Sequence, residues 1–62
     1  MPIVSIKIAE GRTLEQKRGM VKDVTAAIVK NLGCPASAVH INITDLKREN
    51  FADGGILLSD NK

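Results

Sequence analysis

Residues 3–16 read IVSIKIAEGRTLEQ, and two periodicities meet inside them. From Ile3 to Ile8 every residue except Ser5 and Lys7 is β-branched. Val4, Ile6 and Ile8 fall on one side of an extended chain, while Ile3, Ser5 and Lys7 fall on the other. That alternation predicts a strand with one buried face. The EGR at residues 10–12 ends it. Thr13 followed by Gln16 then matches a capping box, in which the hydroxyl accepts from the amide three residues on and the Gln side chain reaches back. Glu15 in the first turn suits the positive end of the helix dipole.

Outward from this junction, Leu14, Val21, Val24, Ile28 and Leu32 recur at helical spacing, with Met20 and Ala27 beside them. The pattern predicts a helix over 14–32. Gly19 costs about 1 kcal/mol against alanine inside a helix, so a close neighbour is expected to need the space. Gly33 and Pro35 stop the helix. SAVHINITDL, residues 37–46, reads as a second strand, with Val39, Ile41 and Ile43 alternating with His40, Asn42 and Thr44. Strand, long helix and strand in that order make an α/β chain of βαβ type, its strands parallel and its crossover right-handed. In the tail, Asp53-Gly54-Gly55 signals a turn and Ile56-Leu57-Leu58 a short strand or arm. With only two long strands, the sheet is expected to be completed by a partner subunit.

Size and composition narrow the function. A chain of 62 residues is read as one domain, 1–62, and buries only about 60% of its unfolded surface. One cysteine forbids an intrachain disulfide, and one histidine with one cysteine leaves too few ligands for a closed metal site. Oligomerisation is the remaining way to stabilise so short a chain, and the 44% apolar content supplies the surface for it. Nucleic-acid binding lacks both its stacking platform and its basic stripe, because Phe51 is the sole aromatic residue and no basic run exceeds Lys47-Arg48. No apolar run approaches a membrane span. The polar, alternating start does not read as an export signal, and with a lone thiol it leads us to expect a cytoplasmic protein.

Two residues carry chemistry on their own. Pro2 follows Met1, and a small second residue favours removal of the initiator methionine. Pro2 then either simply begins an edge strand or offers a secondary amine that can act as a base. An apolar surround, for which Ile8 and Phe51 are candidates, and a cation such as Arg12 would both disfavour the protonated amine. Arg12, beside the helix cap, is either a solvated loop residue or a bidentate partner for a carboxylate. Cys34 has no neighbouring base in sequence and is not read as a nucleophile.

Pro2 behind Met1, the EGR closing the first strand, and Phe51 ahead of Gly54-Gly55 occur in order on a chain of this size. Together with MPIVSIKIAEGRTLEQK and ITDLKRENFADGG, they make the sequence resemble the 4-oxalocrotonate tautomerase family over nearly its whole length. The resemblance implies βαβ subunits that pair into a shared four-stranded sheet with helices on one face, usually assembled as a trimer of dimers, a homohexamer. It implies cofactor-free proton transfer by an N-terminal proline, at sites built where subunits meet. Family members ketonise enols and isomerise unsaturated 2-oxo acids, and some add water to halogenated acrylates.

Carried over residue by residue, the resemblance makes Pro2 the general base, Arg12 the clamp on the substrate carboxylate, and Phe51 an apolar wall of the site. His40 is the departure, because the well-studied tautomerases have a second arginine there. A histidine could donate a hydrogen bond to an enolate oxygen, or could be only a strand residue; both readings stand. Without a second permanent cation a dicarboxylate substrate becomes less favourable and a monocarboxylate such as an arylenolpyruvate more so. Lys47 or Arg48 could substitute. Two other functions stay open. One is hydration or dehalogenation of a small unsaturated acid, for which neither Asp45 nor Glu49 is singled out as the water-activating residue. The other is a non-catalytic structural or ligand-binding oligomer.

Overall fold

The computed structural model describes residues 1–60. Strand β1, Ile3–Ala9, is followed by helix α1, Leu14–Leu32, and by strand β2, His40–Leu46. β1 and β2 pair in parallel, from Ile3 opposite His40 to Ala9 opposite Leu46. The ladder extends one step at each end. The His40 N–H donates to the Pro2 carbonyl at 3.0 Å, and the Glu10 N–H donates to the Leu46 carbonyl at 2.8 Å. The second strand is shorter than its apolar alternation suggests. Ala36–Ala38 form a 3-10 turn behind Pro35, and the paired strand begins only at His40.

Local chemistry sets the helix ends as the sequence predicts. The Thr13 hydroxyl accepts from the Gln16 N–H at 3.1 Å, and the Gln16 side chain accepts from the Thr13 N–H at 2.9 Å. At the other end the Gly33 N–H donates to the Val29 carbonyl. Val21, Val24 and Ile28 are half-buried, as are Val4, Ile6, Ile8, Ile41 and Ile43 on the sheet, so the helix covers that sheet face. The expected stripe frays at its ends, where Leu14 and Leu32 stand exposed. Open space lies where a Gly19 Cβ would stand, so no described residue of this chain is the close neighbour expected there. After β2, a 3-10 turn at Arg48–Asn50 leads to a two-strand hairpin, β3 (Ala52–Asp53) against β4 (Ile56–Leu57). Gly54 and Gly55 join them with φ of 58° and 85°, the pair of positive values a tight two-residue hairpin turn demands.

What the chain lacks is an interior. Among the described residues none is fully buried, and Ile3 (74% exposed) and Ile56 (59%) lie open. The accessible surface is 4899 Å², against about 3,900 Å² for a folded monomer of this mass. The radius of gyration is 14.7 Å and the molecule measures 43 × 23 × 14 Å, where a globular chain of this length has a radius near 11 Å. One helix on two strands is a slab, and its elements leave apolar surface uncovered. No helix among the described residues is long and apolar enough to cross a membrane.

Two predictions follow from the slab and its cap. Thermal unfolding followed by circular dichroism should shift to higher temperature as protein concentration rises, because folding and association are coupled; a midpoint independent of concentration, with a monomeric sedimentation mass, would contradict this. Thr13→Ala should destabilise the assembled protein by about 1 kcal/mol per chain through loss of the cap, measured by denaturant unfolding at fixed concentration.

Candidate active site

The parallel ladder sorts the candidate residues into two groups. Both strands start at one end of the slab. There Pro2, half-buried, and His40, exposed, are neighbours joined by the His40 N–H to Pro2 carbonyl bond. Met1 precedes them, 84% exposed, and its peptide bond makes the Pro2 nitrogen an amide without a usable lone pair. Both strands finish at the opposite end. There lie Arg12, Lys47 and Arg48, all exposed, with Phe51, 43% exposed, a few residues further on. Seven strand residues at about 3.3 Å each separate the two ends by about 20 Å.

Within one chain, therefore, the base candidate and the carboxylate-binding candidate do not meet. Ile8, named as a possible wall for Pro2, sits near the far end of the same strand and faces the helix. No concave pocket forms among the described residues of the single chain. No three His, Cys, Asp or Glu side chains among them converge where they could hold a metal ion.

The electrostatics of the Arg12 end are specific. Arg18 pairs with Glu15, and Lys17 donates to Asp45 at 2.6 Å. Arg12 makes no hydrogen bond or ion pair with any described residue, so its guanidinium remains available to a ligand. It sits between an extended strand end and a capped helix N-terminus, where backbone N–H groups add favourable potential for an anion.

Two contacts at this end escaped the reading of the sequence. Asp45 lies on the helix-covered sheet face, in series with Ile41 and Ile43, and Lys17 descends from the inner face of α1 to meet it. The signal was present. Position 45 continues the apolar alternation, and 17 precedes 21, 24 and 28 at helical spacing. The second contact, from the Arg48 N–H to Glu10 Oε2 at 3.1 Å, joins residues 38 apart and has no local signature.

Comparison with known proteins places the fold and the family. A family model described as tautomerase enzyme matches residues 2–61. A probable tautomerase of Lactiplantibacillus plantarum is 43% identical over 60 residues, covering 97% of this chain and 94% of the relative. A 4-oxalocrotonate tautomerase isozyme of Methylibium petroleiphilum superposes with a TM-score of 0.90 at 38% identity, over 94% of this chain and 91% of that one. The heterohexamer 4-oxalocrotonate tautomerase of Chloroflexus aurantiacus superposes with a TM-score of 0.93 at 26% identity over the full length of both chains. With one fold, near-complete coverage and this identity to its relatives, the chain belongs to the tautomerase family, among the homologues of 4-oxalocrotonate tautomerase.

Proposed function

We propose that this protein is a cofactor-free keto–enol tautomerase of enols and unsaturated 2-oxo acids, with the secondary amine of Pro2, freed by loss of Met1, as general base. Family membership supports the isomerase class. The observation that carries the finer reading is the pairing of Pro2 with His40 at one end of the ladder and an unpartnered Arg12 at the other.

The reaction needs both ends. Two copies joined antiparallel along their β1 edges and centred on Ile6 would set each Pro2 against the other's Ala9–Arg12 end. The exposed Ile3 and the surplus surface support such pairing. Arg12 of the partner subunit then holds the substrate carboxylate, and the partner subunit's Phe51 forms an apolar wall. The Pro2 nitrogen takes the proton of the enol hydroxyl. The C2–O bond becomes a carbonyl, the electron pair moves to C3, and the Pro2 ammonium returns the proton there. Charge develops on the C2 oxygen, and the His40 side chain or an ordered water donates to it. One guanidinium favours a monocarboxylate such as an arylenolpyruvate. Hydration is less well supported, because Asp45, one candidate to activate water, is held by Lys17.

The decisive assay couples intact mass to ketonisation of phenylenolpyruvate. Protein lacking Met1 should be active and Met1-retaining protein inactive, and Pro2→Ala should lower kcat/KM by on the order of 10²-fold or more. A rate equal to buffer in Met1-free protein would defeat the proposal for this substrate class. Arg12→Ala should raise KM on the order of 10- to 100-fold, as expected for loss of a charge-assisted bidentate contact. An unchanged KM would remove Arg12 from the site.

A further inference from the structure

We propose that Glu10 is a positioning residue, which acts through Arg12 by fastening the Arg12 loop to the segment that leads to Phe51. This rests on the reading of Arg12 as the carboxylate clamp. Residues 10–13 connect β1 to α1 and carry Arg12 in the middle. Glu10 is anchored twice. Its N–H donates to the Leu46 carbonyl at 2.8 Å, and its Oε2 accepts from the Arg48 N–H at 3.1 Å. On the far side of Arg12 the Thr13–Gln16 box fixes the helix start, and the Lys17–Asp45 pair fixes the first turn against β2. Gly11, with φ of 114°, makes the bend between these anchors.

The carboxylate of Glu10 does two things in this position. It ties the 10–13 loop to residues 48–50, and Phe51 follows within about 11 Å of chain. The cation and the aromatic wall are thereby held as one unit. It is also turned to the Arg48 amide, with no ion pair to Arg12 although only Gly11 lies between them. A carboxylate loose in this loop would compete with substrate for the same guanidinium. Engaged with the amide, it leaves Arg12 to the ligand.

The test uses the assembled, Met1-free enzyme and phenylenolpyruvate, with assembly of each variant checked by sedimentation. Glu10→Ala should raise KM roughly 5- to 20-fold while kcat changes little, because it loosens ground-state anchoring of the carboxylate and leaves the base in place. Glu10→Gln retains an oxygen that can accept from the Arg48 N–H, and should restore KM to within about threefold of the parent. In the Arg12→Ala background, Glu10→Ala should add less than about twofold, since a residue acting through Arg12 has nothing left to position. Hydrogen exchange of the Arg48 amide, read by NMR, should accelerate in Glu10→Ala but not in Glu10→Gln. An additive KM effect in the double variant, or equal KM values for Glu10→Ala and the parent, overturns the inference while leaving the Arg12 assignment intact. If Arg12→Ala itself leaves KM unchanged, both fall together. Should Glu10→Ala fail to assemble, the Glu10→Gln enzyme decides: a KM raised tenfold or more, with Arg48 exchange unchanged, overturns the positioning role.

Discussion

The ladder between β1 and β2 runs parallel for seven residues, from Ile3 beside His40 to Ala9 beside Leu46. Parallel strands cannot be joined by a tight turn, so the chain must cross back through α1 before it can start the second strand. That requirement places both strand starts at one end and both strand finishes at the other. A residue ahead of β1 therefore shares its surroundings with the start of β2, as Pro2 does with His40. A residue behind β1 shares its surroundings with the end of β2, as Arg12 does with Lys47 and Arg48. Everything proposed about the site follows from this sorting and from the strand length that separates the two groups.

The same topology explains the lack of an interior. Two strands make a sheet too narrow to bury one side of a nineteen-residue helix, so the facing positions Val4, Ile6, Ile41, Ile43, Val21, Val24 and Ile28 reach only partial burial. The other sheet face, with Ile3, Ser5 and Lys7 beside His40, Asn42 and Thr44, is covered by none of the described residues. A slab 14 Å thick is a subunit shape, and its surplus surface of roughly 1,000 Å² is of the size that specific interfaces bury. On the proposed reading, stability and a complete site have a common origin. In the proposed pairing, the contact that covers the apolar surface is also the one that brings a distant arginine to a proline.

The proposed chemistry depends on a single bond. While Met1 is attached, the Pro2 nitrogen is an amide and strand β1 merely begins there. Once that bond is cut, the nitrogen becomes a basic secondary amine at the rim of the sheet, on the residue whose carbonyl accepts from the His40 N–H. At the other end Arg12 makes no ion pair with any described residue, while Lys17 and Arg18 are engaged by neighbouring carboxylates. The arrangement spends its local ion pairs on holding the helix start in place and leaves the guanidinium groups of Arg12 and Arg48 without an ion pair among the described residues.

The order of elements was legible in the residues, because strand alternation, the Thr13–Gln16 box and the Gly54-Gly55 turn are local signals acting within a few residues of one another. Pro2, Arg12, His40 and Phe51 were legible as candidates through their chemistry and their resemblance to a family pattern. Their distribution over two ends of one chain was not, since it depends on strand pairing across 37 residues of separation between Ile3 and His40. The apolar alternation that starts at Val39 argued for a longer second strand over 37–46, but the turn after Pro35 took precedence, because extended chain gains its hydrogen bonds only where β1 is available to pair. The Glu10 bond to the Arg48 amide belongs to the same class. Its partners meet only after the two strands have aligned, and no short-range pattern announces a contact that the folded backbone creates.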